Sequence, residues 1–481
     1  MVFSSITFLV FFALVLMITL MLQTAFLKKR LKENVIRRIK HIILLIASYI
    51  FYGWWDWRFC FLMFFMTLIS YISAKNIENE KHIKLYKILG IAVPLVTLGF
   101  FKYFNFFIES FSTLFGLTNP GTLNIILPVG ISFYTFQSMS YTIDVIQRRI
   151  KSHSLIDVAL YVSFFPQLVA GPIVKAEDFI PQLAENKEIN VENFICGIQI
   201  FVFGLFKKIV IADHLSVFVD DVFANPLIFS SASIILAVIA YSIQIYFDFS
   251  GYSDMAIGSA KCLGYDFKRN FNMPYISKNV SEFWKRWHIS LSTWLREYLY
   301  IPLGGNRNGK VRTYMNLMIT MILGGLWHGA NVTFVLWGFL HGVALCVHKM
   351  YEACIKKPSH KKTVFATAAS VLLTYVFVCI CWVFFRAENI SSALVMLNRV
   401  FLWQDGVMQP FTWVFVAGVL LAASEIAAYI KSKKKNEAVV NGFYAIMDLT
   451  KIGPLILFLV VVGLILGLAF TDENPFIYFQ F

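Results

Sequence analysis

The chain is expected to be an all-α polytopic membrane protein. Of its 481 residues, 58% are hydrophobic and only 15% are charged, where a soluble domain carries about 25% charged residues. The mean hydropathy is +0.68. Apolar runs of the length a spanning helix needs, roughly 20 residues, recur along the chain. In lipid, every backbone polar group must be paired within its own segment, so such runs fold as helices. The strand alternation of an outer-membrane barrel is absent from the sequence.

The first apolar run, near 5–27, ends in a basic cluster, Lys28, Lys29, Arg30, Lys32, Arg37, Arg38 and Lys40. Basic loops stay cytoplasmic, so the N-terminus is expected outside. The opening MVFSSITF carries no positive charge and does not read as a cleaved signal peptide. Residues 42–74 suit a helical hairpin whose tip, GWWDWR, is an aromatic interfacial anchor. The charged loop 75–87 returns to the cytoplasm. Further apolar segments fall near 88–108, 123–147, 155–174, 191–211 and 230–249, then 313–327, 331–348, 364–385, 410–430 and 453–470. About ten to twelve membrane helices follow from these runs. Breaks such as ILPVGISFYTF and FFPQLVAGPIV predict re-entrant elements or kinked packing helices.

The net charge of +14 raises the possibility of nucleic acid. The distribution argues against it, because the basic residues gather in short loops between apolar runs. Residues 261–312 hold the densest group, from Lys261 and Lys268 to Lys310 and Arg312, with aromatic residues interleaved. They read as amphipathic helices on the cytoplasmic face, facing anionic lipid or a phosphate-bearing cosubstrate. The seven cysteines show no CxxC or Cys/His metal spacing and read as apolar packing. No repeat or long linker divides the chain, so a single membrane domain over 1–481 is expected.

Two Trp-His pairs stand out, Trp287-His288 and Trp327-His328. His328 sits in apolar sequence among Gly324, Gly325 and Gly329. An ionisable side chain at membrane depth costs several kcal/mol unless it is buried in protein or lines a polar cavity, so it marks function by default. His288 adjoins basic residues and on its own reads as an interfacial histidine. His341, on the helix after His328, is assigned a structural role. His41, His82, His153, His214, His348 and His360 lie near charged loop ends and read as bland. Asp248 and Asp254 flank a Gly-Tyr-Ser break, and Asp248, which closes a long apolar run, is expected to pair with a basic residue or hold a broken helix. Asp144 and Arg386 call for partners too. Zinc held by the two histidines with Asp254 and Glu282 is the chemical rival, but no HExxH or other local ligand spacing supports it, so no metal is expected.

WKRWHISLSTWLREYLYIPLGGNR followed by GGLWHGANVTFVLWGFLHG resembles the membrane-bound O-acyltransferase family. FFPQLVAGPIVKAEDFIPQL, FDFSGYSDMAIG, PVGISFYTFQSMSYTIDV and WVFFRAEN extend the resemblance over essentially the whole chain. It is closest to the bacterial branch with the alginate and peptidoglycan O-acetyltransferase membrane subunits. Ile146 stands where that branch suggests an aromatic residue.

The resemblance implies helices around a central tunnel, with His328 as the membrane-embedded catalytic histidine and His288 as the second signature histidine on the cytoplasmic side. Acyl transfer from a thioester to a hydroxyl needs a base for the proton and donors near the oxyanion. An apolar setting keeps an imidazole neutral, which suits a base. His288 would orient the thioester or donate to its carbonyl. The cosubstrate implied is acetyl-CoA or another acyl thioester.

The chain closes on TDENPFIYFQF, after one apolar helix that follows the basic residues Lys431 to Lys435. The tail 471–481 is therefore expected outside the bacterial cytoplasmic membrane. It resembles a C-terminal aromatic motif of this branch, also found on a small partner peptide in teichoic-acid D-alanylation, where the tyrosine is an acyl carrier. Carried over, Tyr478 accepts the acyl group. The plain alternative is an aromatic anchor. An extracytoplasmic transferase or esterase-like partner would complete transfer to the polymer. D-alanyl transfer to teichoic acid, and a transporter, channel or assembly scaffold without acyl turnover, are the alternative functions.

Overall fold

The computed structural model describes residues 1–24, 29–117, 121–169, 171–185, 187–354, 363–410, 412–433 and 447–469. The described residues are helical apart from turns, loops and one isolated bridge, Phe229–Val407. Among the described residues, six helices are long and apolar enough to cross a membrane. The chain forms two compact units. One comprises Met1–Phe203 with Tyr252–Lys268, the other Gly204–Gly251 with Arg269–Phe481.

In the first unit, α1 (Ile6–Met21) is started by Ser5, whose hydroxyl accepts from the Phe8 N–H. The expected hairpin is present as α2 (Glu33–Asp56) and α3 (Arg58–Glu78). The Asp56 carboxylate, 2.6 Å from the Arg58 guanidinium, spans the one-residue turn. The tip tryptophans Trp54, Trp55 and Trp57 are exposed, as an aromatic anchor requires. Helix α2 begins earlier than the apolar run, so Arg37, Arg38 and Lys40 are helical.

The next span, α4 (Ile83–Phe115), contains a π turn at Gly99–Tyr103. The run at 123–147 becomes helical only from α5 (Ile131–Ile146). Pro128 removes a donor, and Gly130 takes φ +74°, where a Cβ would meet the Leu168 carbonyl oxygen at 2.9 Å. The run at 155–174 is broken too. Helix α6 (Leu155–Ser163), capped by Ser154, is followed by a single turn at Phe165–Leu168.

Two long spans contribute to both units, α7 (Val191–Ala224) and α8 (Ser231–Cys262). Here one expectation is corrected. Helix α8 runs unbroken through Gly251-Tyr252-Ser253. The glycine is needed for approach: a Cβ at Gly251 would stand 2.7 Å from the Gly204 carbonyl oxygen.

The rest of the second unit begins with two short helices, α9 (Val280–Arg286) and α10 (Ile289–Leu295). They are joined end to end by Trp287 and His288. A helical hairpin follows, α11 (Gly309–His328) and α12 (Val332–Cys354), then α13 (Val364–Arg386). Gly325 and Gly338 let the hairpin close. A Cβ on Gly325 would collide with the Phe334 carbonyl oxygen, and one on Gly338 with that of Met321. Backbone-to-backbone approach through small residues is how helices gain packing energy where no water drives them together.

Candidate active site

His288 and His328 lie in the second unit, as do Phe249, Asn270, Trp327, Trp337 and Phe385. His328 is the last residue of α11. The glycines at 324 and 325 seat α11 against its neighbours, so the imidazole is delivered into the interior and is 3% exposed. Its ring meets Trp327, Trp337 and Phe385 near-perpendicularly, at 5.1, 5.1 and 5.2 Å between centroids. Trp337 comes from α12 and Phe385 from α13. Edge-to-face contacts of this kind fix a ring by its quadrupole as well as its shape.

His288 caps α10 with φ +41°. A non-glycine residue in the left-handed region stores strain that the surroundings must hold, and such strain gathers at functional sites. Asn270 does the holding. Its backbone oxygen accepts from the Ile289 N–H at 2.8 Å. Its side-chain oxygen accepts from the Ser290 N–H at 3.1 Å and the Ser290 hydroxyl at 2.9 Å. That same oxygen lies 3.2 Å from His288 Nδ1. An amide oxygen only accepts, so it draws the imidazole hydrogen to Nδ1 and leaves the lone pair on Nε2.

The interfacial reading of His288 is corrected by the structure: the side chain is wholly buried. Phe249 meets it edge-on at 4.6 Å, and Phe271 stacks nearby at 6.4 Å. Burial pushes its pKa down to about 3. The ring is therefore neutral, with Nε2 as an acceptor.

The two histidines share a wall. The Trp327 indole lies 6.1 Å from the His288 ring and 5.1 Å from the His328 ring. His341 is buried on α12, where its Nδ1 accepts from Trp284 Nε1 at 3.3 Å and its ring packs on Trp337 at 4.9 Å. Tyr478 and the tail at 471–481 lie outside the described residues.

Other expectations can be placed. Asp144 pairs with Arg149 at 3.3 Å, and Arg386 with Asp220 at 2.6 Å. Asp248 has its basic partner in Lys208. His41 is not a bland loop residue; it is buried, with Nδ1 3.1 Å from the Asp157 carboxylate. Glu282 is engaged by Arg286 at 2.9 Å. Among the described residues no group of three or more His, Cys, Asp or Glu side chains gathers as a metal would need.

Sequence reasoning passed over Asn270 and Lys208. Nothing in the local pattern marks Asn270. Lys208 did carry a signal, an ionisable side chain inside a long apolar run.

The family model described as MBOAT, membrane-bound O-acyltransferase family, matches residues 131–393. A probable alginate O-acetylase (AlgI) of Pseudomonas putida is 39% identical over 472 residues, covering 92% of this chain and 95% of that protein. A peptidoglycan O-acetyltransferase of Helicobacter pylori is 39% identical, covering 74% and 72%. A teichoic acid D-alanyltransferase of Bacillus subtilis is more distant, 29% identical over 53% of this chain and 68% of its own length. With its apolar helices, the chain is a multi-pass membrane protein and an O-acyltransferase. It belongs to the membrane-bound O-acyltransferase family, in the branch of the alginate and peptidoglycan O-acetyltransferases.

Proposed function

We propose that this protein takes an acyl group, acetyl, from a cytoplasmic thioester and passes it across the membrane for O-acetylation of an extracellular polysaccharide or of peptidoglycan. The observation that carries the reading is the pair of buried histidines packed on one indole, in a chain similar over most of its length to O-acetyltransferases. The distant likeness to D-alanyltransferases supports acyl transfer chemistry but covers about half of the chain, which favours acetyl over D-alanyl.

The donor is acetyl-CoA. His328 is the base: it takes the proton of the acceptor hydroxyl as that oxygen bonds to the acyl carbon. The carbon–sulfur bond breaks, and the proton passes to the departing thiolate. His288, neutral and anchored through Nδ1, accepts a hydrogen bond from the donor and orients it. Tyr478 is the first acceptor, and its ester is then presented to a separate extracytoplasmic transferase or esterase-like protein. The chain forms one membrane domain in the bacterial cytoplasmic membrane, with about ten to twelve helices and both termini outside. Residues 261–312 face the cytoplasm and the donor.

The test is genetic and chemical. The gene is deleted in its host, and O-acetyl content of the surface polysaccharide and peptidoglycan is measured by mild alkaline release. The wild-type chain should restore the lost acetyl, and His328→Ala should not at equal membrane abundance. Full restoration by His328→Ala would overturn the reading.

A further inference from the structure

Lys208 lies in the π-helical stretch Phe206–Ala212 of α7. Its Nζ is 2.7 Å from Asp213 Oδ1 and 2.7 Å from Asp248 Oδ1. All three side chains are buried. The approach that makes this possible is the Gly204–Gly251 contact, where a Cβ on Gly251 would also stand 3.1 Å from the Lys208 backbone nitrogen. A π turn in a helix commonly marks a functional position, and a buried charge is tolerable only with its partners in place.

The next residue after Asp248 is Phe249, whose ring meets His288 edge-on at 4.6 Å. Phe249 also reaches Phe271 at 5.1 Å, and Phe271 reaches Trp287 at 5.0 Å. Tyr246 on the same turn of α8 lies 6.2 Å from Trp287. One turn of α8 is thus the wall behind the strained Trp287–His288 bend, and the lysine holds that turn.

We propose that Lys208 is a positioning residue for His288, acting through Asp248 to fix the 246–249 turn of α8. The inference rests on the role given above to His288. It predicts an asymmetry between the two carboxylates. Asp213 sits on the same helix as Lys208 and merely helps to seat it. Asp248 transmits the restraint to Phe249. Without the ammonium, two buried carboxylates face each other with no positive charge between them, the turn relaxes, and His288 loses its wall. Small displacements at a reacting centre are read in turnover more than in donor affinity.

The test uses the full chain in lipid nanodiscs, with Lys208→Met, Asp248→Asn and Asp213→Asn. Acetyl-CoA turnover should fall about 30-fold in the first two with KM changed less than about threefold, and stay within about threefold of wild type in Asp213→Asn. Amide hydrogen exchange in the peptide spanning 287–290 should accelerate in the first two variants and not in the third. Equal losses for Asp213→Asn and Asp248→Asn would overturn the proposal, as would unaltered exchange at 287–290. Should Lys208→Met fail to fold, the comparison of the two aspartate variants decides. If wild-type protein turns over no acetyl-CoA, the functional reading has failed, and the exchange pattern alone decides this inference.

Discussion

His288 and His328 arrive from different helices and pack on the same indole, that of Trp327, at 6.1 and 5.1 Å between ring centroids. His328 is the final residue of α11, and His288 bridges α9 and α10. A single rigid ring thus sets the spacing of the two imidazoles. Trp327→Ala should leave both histidines in the protein and still lower acetyl transfer by about 100-fold, because misplacement of reacting groups is costly. Trp327→Phe, which keeps an aromatic wall, should recover most of that loss. Equal activity of Trp327→Ala and wild type would show that the shared wall is irrelevant.

Asn270 should matter beyond its size. Asn270→Ala leaves a buried Nδ1–H and the Ser290 donors without their acceptor, at a cost of about 1–3 kcal/mol, and frees the imidazole tautomer. Reduced thermal stability together with a drop in turnover is expected. His288→Gly relieves the left-handed backbone yet removes the imidazole, so it should fold and be inactive. An active His288→Gly would refute the role of the ring.

The pH dependence of stability has a defined sign. His288 titrates at about 3 in the folded protein and near 6.5 when unfolded. Between those values the unfolded chain holds the extra proton, so stability is full above pH ~6.5 and is lost as pH falls toward ~3, by at most about 1.4 kcal/mol per unit. Thermal unfolding of wild type and His288→Gln across pH 7 to 4 checks this. The variant should show the shallower decline.

Gly325→Ala and Gly338→Ala should each destabilise by about 1–3 kcal/mol, since each Cβ enters the opposing backbone. Both should reduce turnover by moving α11 and with it His328. Gly463→Ala, where a Cβ meets nothing within 4 Å, should change neither. Unfolding midpoints in a mild detergent give the readout.

Mass spectrometry of the C-terminal peptide should find an acetyl group on Tyr478 in cells with wild-type protein and none in His328→Ala. Full polymer acetylation by Tyr478→Phe would remove the carrier role.

Helix existence was legible in the sequence because lipid allows a long apolar run one solution. The hairpin at 42–74 and its exposed tryptophans followed directly. Interruptions were less legible, for a reason the residues make plain. Gly251 and Gly130 look alike in sequence, yet one admits a neighbouring helix while the other turns the chain at φ +74°. Which use applies depends on what packs opposite. The histidines could be named, but the burial of His288 could not, since Asn270, Phe249 and Trp327 converge on it from separate segments. The same holds for Lys208, whose partner Asp248 is on another helix.

The most direct measurement of the central claim is acyl turnover by purified protein. Radiolabelled acetyl-CoA is supplied to wild type, His328→Ala and His288→Ala in nanodiscs with the proposed extracytoplasmic partner added, and thioester cleavage and label transfer are followed. Wild type should cleave the thioester and transfer the label, and His328→Ala should lose both by at least about 100-fold. His288→Ala should be strongly impaired too. Turnover by His328→Ala equal to that of wild type would contradict the central claim.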